Sequence, residues 1–403
     1  MRVLLVHNYY GSSAPSGENR VFELEKALLE AHQHEVQTFT RHSDEIRALG
    51  LLGSAKGALA TPWNPWMAHA IRREIRQFKP TLVHVHNTFP LISPAIFRAI
   101  GGCAARVLTL HNYRLYCPAA IPMREGKVCT ECLQHRSPWP AIQHGCYRSS
   151  RVATMPLAIN VGLHRALGTW KREVDAFIAL SAFQAERMIE SGLPGEKVHV
   201  KPNFYPGRPS IVPWGDREAY VVFAGRLSAE KGVLNLLRAW RTWGEDAPHL
   251  KIAGDGELRP ELERMSVGLR VQFLGQLNAD EAQAAIAKAK LLILPSEWFE
   301  GFPMVLREAF AFGTPAAVSD IGPLPSIVRH DVSGVVFQPA SPGSLLREVR
   351  AAWETPRLLE RLGQGARSEF DAKYTENANY ASLMAIYQKA IDENSSVARA
   401  TTL

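Results

Sequence analysis

Short, continuous apolar runs alternate along this chain with longer segments in which apolar residues recur every three or four positions. Residues 3–6 and 291–294 are runs of the first kind, the pattern of strands buried on both faces of a parallel sheet. Leu234, Leu237 and Trp240 form a stripe of the second kind, which predicts a helix with one apolar face. The repeated alternation of strand and helix predicts an α/β fold.

One segment interrupts this pattern near the middle of the chain. Residues 205–215 contain three prolines and two glycines, which is typical of a linker. The strand–helix alternation restarts after it. We therefore predict a first domain over residues 1–204, a second over residues 215–375, and a last amphipathic helix over residues 376–393.

The length and composition fit a protein with an ample core in each domain. The chain has 403 residues, and no segment approaches about 18 uninterrupted apolar residues, so no membrane span is expected. The apolar run at the N-terminus is too short for a secretory signal and is interpreted as a first strand. These features predict a cytoplasmic protein.

Positive charge is concentrated in the first half of the chain. Residues 1–200 hold 23 Lys+Arg against 15 Asp+Glu, a balance of +8, whereas the remainder contributes −1 to the total of +7. The first half is a candidate to contact an anionic partner or an anionic membrane surface, and an equally good interpretation is that the surplus only aids solubility. No dense Lys/Arg cluster occurs, so nucleic acid is not an expected partner.

The segment that follows the apolar run 291–294 combines two carboxylates with a predicted helix start. A helix that follows a strand of a parallel sheet directs its first, free N–H groups towards ligands at the carboxyl edge of the sheet. Here the amides of Met304 and Val305 would suit a phosphate. Glu308 lies four residues after Met304 and projects from the same helix face, while Glu300 lies in the preceding loop. One carboxylate would suit a ribose and the other a sugar hydroxyl.

The spacing of these carboxylates carries a resemblance. Glu300 and Glu308 are separated by seven residues and enclose Gly301, Phe302 and Pro303, where Pro303 is expected to open the helix. This arrangement resembles the E-x7-E motif of the retaining, nucleotide-sugar-dependent glycosyltransferases of family 4, which have the GT-B architecture.

A second motif lies after the strand predicted over residues 220–224. The sequence G-R-L-S-A-E-K-G, which contains Arg226 and Lys231, resembles the G-R-L-x-x-E-K-G motif of the donor domain in the same family. A departing nucleoside diphosphate develops negative charge, which a guanidinium and an ammonium can neutralise without a metal. The alternative is a pair of surface cations. Positive charge is unfavourable near a helix start, which favours the functional interpretation.

Three further positions match this family less specifically. The loop over residues 11–17, ending at Gly17, resembles its glycine-rich loop near the donor pyrophosphate. Gly275 ends a strand whose backbone faces the nucleotide base in the family. His111 follows a strand end and matches a histidine near the C6 hydroxyl of the donor sugar, with His86 on the preceding strand as a second, more structural candidate.

Four of the five cysteines lie in a loop over residues 116–148 that shows no clear periodicity. Cys129 and Cys132 form a C-x2-C pair, with Cys117 before it and Cys146 after it. Four thiolates suit a tetrahedral structural zinc site, and disulfides are not expected in a cytosolic protein. The second C-x2-C of common zinc motifs is missing, so reduced, loosely packed thiols remain the alternative.

The resemblance runs from residue 1 to about residue 390. It implies a GT-B fold, in which two Rossmann-like, doubly wound domains face each other across a cleft and the last helix crosses back to the first domain. It also implies a retaining transferase that needs no catalytic metal. The donor would be a UDP-, GDP- or dTDP-linked sugar, and the acceptor a hydroxyl of a glycan or of a polyprenyl-pyrophosphate-linked glycan, as in bacterial surface-polysaccharide assembly.

The roles implied by the resemblance divide between catalytic and donor-binding residues. Arg226 and Lys231 would hold the diphosphate, Glu308 the ribose and Glu300 the sugar hydroxyls, while His111 would align the sugar. The remaining donor-binding positions are Gly17, Gly275, Gly301, Phe302, Pro303, Met304 and Val305.

Two other functions remain open at this level. One is a nucleotide-sugar-binding protein without turnover in a glycan-assembly complex, although both cations and both acids of the motifs are intact. The other is an NDP-sugar 2-epimerase, which shares the fold but usually carries a different set of acids and lacks G-R-L-x-x-E-K-G.

Overall fold

The computed structural model describes residues 1–11 and 16–400 of the chain. Residues 12–15 of the predicted glycine-rich loop therefore lie outside the described part. Contacts within the chain define two compact units. The first comprises Met1–Pro122, Thr130–Pro202 and Asn379–Leu403, and the second comprises Met123–Cys129 and Asn203–Ala378.

The first unit is built on a six-stranded, fully parallel sheet in the order β2-β1-β3-β4-β7-β8. A separate two-stranded hairpin, β5-β6, occurs between β4 and β7 in the sequence but belongs to the second unit. The strands are β1 Arg2–Tyr9, β2 Glu35–His42, β3 Leu82–Asn87, β4 Ala105–Leu110, β5 Met123–Arg124, β6 Lys127–Val128, β7 Ala176–Ala179 and β8 Val198–Val200.

Within the described ranges, ten α-helices precede the second sheet along the chain. They are α1 Gly17–Ala31, α2 Asp44–Arg47, α3 Gly50–Ala60, α4 Pro65–Phe78, α5 Ala95–Ile100, α6 Glu131–Gln134, α7 Trp139–His144, α8 Arg151–Ala166, α9 Thr169–Arg172 and α10 Ala182–Glu190. Serine side chains cap several of them: Ser150 accepts a hydrogen bond from the Ala153 amide at 3.3 Å, and Ser181 accepts one from the Gln184 amide at 3.2 Å.

The second unit repeats this architecture with a parallel sheet in the order β11-β10-β9-β12-β13-β14. Its strands are β9 Glu218–Ala224, β10 His249–Ala253, β11 Val271–Gly275, β12 Ala289–Leu294, β13 Ala316–Ser319 and β14 Gly334–Phe337. Its helices, together with the C-terminal one, are α11 Val233–Trp243, α12 Arg259–Met265, α13 Ala279–Lys288, α14 Met304–Ala311, α15 Leu324–Ile327, α16 Pro342–Glu354, α17 Leu358–Lys373 and α18 Glu376–Ala400.

Each unit has its own apolar core, because strands buried on both faces pack against helices on either side. In the first unit Val3, Phe22, Ile178 and Tyr387 belong to one buried cluster, so α18 contributes to the core of the first unit from Asn379 onwards. In the second unit the core includes strand residues of β9, β10 and β12 and the apolar stripe of α11. The predicted pair of doubly wound α/β domains is confirmed.

Both sheets reverse their strand order next to the first strand of the unit. The order turns between β1 and β3 in the first unit and between β9 and β12 in the second. In open parallel sheets, ligands bind outside the carboxyl ends of the strands at such a switch point. We therefore expect ligand-binding residues in the segments after β9 and β12 and in those after β1 and β3.

Two local features differ from the sequence prediction. The cysteine-rich loop contains the hairpin β5-β6 and the short helices α6 and α7. The hairpin turn is formed by Glu125 and Gly126, both at positive φ (51° and 73°), and elements this short show no periodicity in a sequence. The last helix extends beyond residue 393 to Ala400. Among the described residues, no helix combines the length and apolar character needed to cross a bilayer.

Candidate active site

The loops that follow β9 and β12 are bound together at the switch point of the second sheet. The amide of Glu297 donates to the carbonyl of Glu230 at 2.9 Å. Gly232 lies at φ 68°, and a Cβ on it would come within 1.9 Å of the Pro295 carbonyl oxygen. Only glycine satisfies both constraints, so Gly232 is what allows the two motif-bearing loops to approach.

This approach brings Lys231 and Glu300 into contact. The Lys231 ammonium lies 2.7 Å from Oε1 of Glu300, and the Ser296 hydroxyl donates to the same oxygen at 2.7 Å. Glu300 is buried, and Lys231 also lies 5.4 Å from the ring centroid of Trp298. The structure thus joins one residue of the G-R-L-x-x-E-K-G motif to one residue of the E-x7-E motif.

A Gly232→Ala substitution is expected to separate these loops. The added methyl group would clash with the Pro295 carbonyl, and alanine at positive φ is itself strained, so we expect a loss of more than about 1 kcal/mol of unfolding free energy. Because the loops carry Lys231 and Glu300, nucleotide-sugar affinity should fall as well. Thermal unfolding and calorimetric titration with nucleotide sugars measure the two effects.

Gly215→Ala is the matched control for that experiment. A Cβ at Gly215 has no neighbour within 4 Å, and this residue lies outside the two loops. The control should leave both stability and nucleotide affinity close to wild type. Equal effects of the two substitutions would show that the approach of the loops at Gly232 does not shape the site.

The E-x7-E segment ends in helix α14, where its second acid is located. The helix begins at Met304, one residue later than predicted, because Pro303 has an extended ψ of 120° and acts as the cap residue. The first amides of a helix, here those of Met304 and Val305, have no partner within the helix and are available to an anion. Glu308 is largely buried on this helix and lies 3.9 Å from a guanidinium nitrogen of Arg307.

The aromatic residue of the motif is packed into the second unit. Phe302 is buried, and its ring centroid lies 5.4 Å from that of Tyr374. This contact anchors the Gly301–Pro303 segment from behind. The short G-F-P stretch therefore holds the loop between the two acids rather than exposing an aromatic face.

Two other predicted donor residues lie at the carboxyl edge of the same sheet. The side chain of Arg226 follows β9 and is 67% exposed, with a guanidinium nitrogen 4.0 Å from the Glu230 carboxylate. Gly275 ends β11 at φ 70°, and its carbonyl accepts from the Gly254 amide at 2.7 Å. The predicted donor-binding residues of the second half therefore follow three strands of one sheet, at its carboxyl edge.

Sequence reasoning missed Trp298, which lies between Glu297 and Glu300 in the loop after β12. Its indole Nε1 is buried and, among the described residues, has no hydrogen-bond partner. A buried donor without a partner is costly, which marks it as a group that a ligand could satisfy. The sequence feature that could have identified Trp298 is its position immediately beside Glu297 in the motif loop.

In the first unit, His111 follows β4 and belongs to a buried chain of polar groups. Its Nε2 lies 3.0 Å from Nδ1 of His86, and the two rings stack with centroids 5.2 Å apart. Nε2 of His86 lies 3.4 Å from the carboxylate of Glu25 on α1. Glu25 is in turn 3.0 Å from the ammonium of Lys201. His86 therefore connects the predicted sugar-aligning histidine to a buried ion pair.

This chain keeps the histidines neutral. Burial, together with the neighbouring histidine His84, lowers the pKa of His86 to about 4, and burial lowers the pKa of His111 well below its ordinary value. Nε2 of His86 points towards the Glu25 carboxylate, so with the proton on that nitrogen Nδ1 of His86 would accept and Nε2 of His111 would donate. Nδ1 of His111 is then in the acceptor state, which suits a sugar hydroxyl.

A second carboxylate of α1, Glu18, was not singled out from the sequence. One of its oxygens accepts from the Asn112 amide at 2.9 Å, next to His111. Its other oxygen is enclosed and has no hydrogen-bond partner among the described residues. Burial raises the pKa of Glu18 above its usual range. The sequence feature that could have identified Glu18 is its position at the start of the helix after the first loop. A carboxylate at that position also suits the helix dipole.

None of the four cysteines of the predicted zinc site forms a disulfide in the described part of the chain. Burial raises the pKa of Cys117 to about 12, with a further contribution from Cys132, and the Cys117 thiol donates to the Ile121 carbonyl at 3.7 Å. Among the described residues, no set of three of these sulfurs lies within 4.8 Å of one another. The zinc site stays a prediction that the metal content of the purified protein would test.

One other group of metal-ligating side chains was found within the described ranges. Glu25, His84 and His86 place one ligand atom each within 4.8 Å of the others. Lys201 already supplies a positive charge 3.0 Å from Glu25, and His84 interacts with the Tyr387 hydroxyl at 2.7 Å. We therefore interpret this group as a hydrogen-bonded charge cluster.

Two family descriptions match this chain in succession. Glycosyltransferase Family 4 matches residues 17–206, and Glycosyl transferases group 1 matches residues 209–369. An uncharacterized glycosyltransferase of Methanocaldococcus jannaschii is 35% identical over 153 residues, which are 37% of this chain and 37% of that protein. A sulfoquinovosyl transferase of Arabidopsis thaliana is 25% identical over 301 residues, covering 73% of this chain and 54% of that protein. The chain therefore matches only about a third to a half of the length of these two relatives.

Solved structures match over almost the full length. A glycosyltransferase from Rickettsia africae gives a TM-score of 0.68 at 13% identity, covering 97% of this chain and 98% of that one. Anabaena HepE, crystallised in complex with UDP, gives a TM-score of 0.64 at 18% identity, covering 98% of this chain and 100% of that one. These likenesses confirm the GT-B fold. On that fold, the chain is similar to family 4 glycosyltransferases over residues 17–206 and to group 1 glycosyltransferases over residues 209–369.

Proposed function

We propose that the protein transfers a sugar from a nucleotide-sugar donor to a hydroxyl of a glycan or lipid-linked glycan, with retention of configuration and without a catalytic metal. The observation that carries this proposal is the contact of Lys231 with Glu300, 2.7 Å apart at the switch point of the second sheet. It joins the cation of one donor motif to the acid of the other.

The pairing suits a diphosphate-sugar because the two ends of that ligand make opposite demands. A diphosphate attracts the Lys231 ammonium and the exposed Arg226 guanidinium. The sugar hydroxyls offer donors to the Glu300 carboxylate. Lys231 and Glu300 lie beside the start of α14. The amides of Met304 and Val305 at this helix start add neutral donors for phosphate oxygens.

The remaining roles follow the resemblance and the local geometry. Glu308 binds the ribose hydroxyls, and Gly275 passes close to the base. Gly17 belongs to the loop on the donor pyrophosphate, while Gly301, Phe302 and Pro303 shape the sugar pocket. His111 aligns the donor sugar through its acceptor nitrogen.

The reaction balances without a metal or an enzyme nucleophile. The bond from the anomeric carbon to the diphosphate oxygen breaks, and a bond from the acceptor oxygen to that carbon forms on the same face. The proton of the acceptor hydroxyl passes to the departing diphosphate. Lys231 and Arg226 stabilise the charge that develops on the leaving group, which is the task a metal performs elsewhere.

The donor class includes UDP-, GDP- and dTDP-linked sugars, and the UDP complex of Anabaena HepE supports UDP as the first to examine. The acceptor is a glycan hydroxyl, with a polyprenyl-pyrophosphate-linked glycan as the favoured form because the first half of the chain is basic. We place the protein in the cytoplasm, in peripheral contact with an anionic membrane, as part of surface-polysaccharide assembly.

A panel of nucleotide sugars tests the proposal in two steps. The cognate donor, at about a hundredfold its dissociation constant, should stabilise the protein by ~2.7 kcal/mol in a thermal-shift assay. Release of nucleoside diphosphate should then require both that donor and a glycolipid extract.

The outcomes separate the candidate functions. Stabilisation without release in any extract would indicate a nucleotide-sugar-binding protein. Conversion of the donor without an acceptor would indicate an epimerase. If no nucleotide sugar stabilises the protein, the assignment of the Lys231–Glu300 site to a donor is wrong.

A further inference from the structure

The first unit exposes large apolar side chains on a small set of helices. Leu52 and Leu59 on α3 and Trp66 on α4 are exposed, as are Trp139 on α7 and Val152 and Ile159 on α8. Both of the strongly exposed tryptophans within the described residues belong to this set. We call these six side chains the apolar face.

Helix α8 shows that this exposure is organised. Val152, Met155 and Ile159 follow one another at intervals of three and four residues, so they lie on one side of the helix. Leu157 and Val161 are buried on the other side. A helix with apolar residues on both sides packs one side against the core and presents the other side to a partner.

The neighbouring helices bring further apolar residues close to this stripe. A Cβ on Gly162 of α8 would lie 3.5 Å from the ring of Pro138, which immediately precedes Trp139. Two residues further along α8, on its buried side, Nε2 of His164 lies 2.9 Å from the Pro62 carbonyl in the connection between α3 and α4. Helices α3, α7 and α8 are therefore adjacent elements of one unit.

The charge of these segments is uniformly positive. Residues 46–73 contain four Lys/Arg and residues 132–172 contain six, and neither segment contains a single Asp or Glu. Lys56 lies between Leu52 and Leu59 on the exposed side of α3, and Arg151 is exposed at the start of α8. Apolar and cationic groups are thus interspersed. Acidic residues border both segments, and one of them, Glu131, lies 3.1 Å from His144 of α7, but cations outnumber acids around these helices.

We propose that the apolar face docks on the surface of an anionic lipid bilayer. Tryptophan and leucine side chains insert at the level of the headgroups, while lysine and arginine side chains contact lipid phosphates. A second copy of this chain is a poorer partner, because two such faces would bring a surplus of cations together with few acids to offset it. The inference gives the membrane contact of the proposed function a defined surface, and its test does not measure sugar transfer.

Vesicle flotation of the full chain tests this proposal. The protein should float with vesicles of phosphatidylcholine and phosphatidylglycerol and should not float with phosphatidylcholine alone. Binding should weaken as salt is raised, because the screening length shortens. Trp139→Ser and Ile159→Ser, at residues 59% and 48% exposed, should each lower the partition coefficient about tenfold.

Two further variants make the result specific. Arg148→Gln combined with Arg151→Gln, at exposed positions, should lower binding to the anionic vesicles. Val267→Ser in the second unit is the matched control, since Val267 is 79% exposed and lies outside the apolar face. The control should bind like wild type.

The opposite results would overturn the proposal. Equal binding to both vesicle types, no binding to either, or equal loss in Trp139→Ser and Val267→Ser would show that the apolar face is not a lipid surface. A concentration-dependent dimer that disappears in Trp139→Ser would show that the face is a protein interface. Because nucleotide-sugar stabilisation is measured separately, a failure here leaves the donor site untouched.

Discussion

Replacement of Lys231 by methionine is expected to lower kcat/KM for sugar transfer by about 10²- to 10³-fold. The ammonium interacts with charge that grows as the bond to the diphosphate breaks, so its loss affects the transition state more than the ground state. Methionine keeps the length and apolar stem of the side chain, which limits structural damage. Initial rates of nucleoside diphosphate release, with donor and acceptor varied separately, provide the measurement.

A second consequence follows from the contact with Glu300. In Lys231→Met the buried Glu300 carboxylate keeps the Ser296 hydroxyl as a partner but loses the ammonium. A diphosphate donor should therefore bind more weakly as well, because the anion then approaches this buried carboxylate without the ammonium of Lys231 between them. Calorimetric titration with the cognate donor should show this loss, while a free sugar should not discriminate between the two proteins.

Lys251→Met is the matched control for this experiment. Lys251 also forms an ion pair, 2.8 Å from Glu218, and lies over the Tyr220 ring on the same sheet, but in the middle of β10 rather than at a carboxyl end. It should keep wild-type kinetics. If Lys231→Met and the double variant with Arg226→Gln both retain wild-type transfer and donor affinity, the diphosphate site lies elsewhere.

The fold of the chain could be predicted because its signals are local. Continuous apolar runs such as residues 291–294 are buried strands, and the stripe that contains Trp240 faces the core, as expected. The motif loops could also be placed, because parallel strands bring their carboxyl ends to one edge. The contact between Lys231 and Glu300 could not be predicted, since it depends on how closely Gly232 lets two loops approach.

Polar contacts between residues far apart in the sequence could not be predicted. Glu25 looks like an ordinary charged residue of an amphipathic helix, and Lys201 like a strand-end cation. Nothing in the sequence indicates that residues 176 positions apart share a buried ion pair, or that His86 joins that pair to His111. The cysteine-rich loop was also beyond prediction, because its hairpin and two short helices are too brief to leave a periodic pattern.

Breaking the ion pair between Glu25 and Lys201 is expected to cost about 3–5 kcal/mol of unfolding free energy. Their side chains are 1% and 2% exposed, and the ammonium also donates to the side-chain oxygen Oδ1 of Asn379 on α18 at 3.3 Å. Glu25→Gln leaves a buried ammonium, and Lys201→Met leaves a buried carboxylate, each without its main partner. Calorimetric unfolding of the full chain should show a large loss for either variant.

The double variant Glu25→Gln/Lys201→Met is the control that distinguishes charge from packing. It removes both charges at once, so it should recover most of the stability lost in the single variants. If the double variant is as unstable as the sum of the two singles, the pair contributes through packing and not through charge.

The pH dependence of the variants provides an independent check of the same pair. Burial raises the pKa of Glu25, but Lys201 and then His84 outweigh that effect and hold the pKa well below its usual range. In the wild type this carboxylate therefore stabilises the fold above its unfolded pKa, and that stability is lost as pH falls through the folded pKa.

Without Lys201, burial is opposed only by the histidines, and the pKa of Glu25 should rise above its unfolded value. The deficit of Lys201→Met should then shrink as pH is lowered towards 4, whereas Glu25→Gln, with no carboxyl to protonate, should show no such recovery. Parallel pH profiles for the two variants would contradict the assignment of this charge pair as the anchor behind His86 and His111.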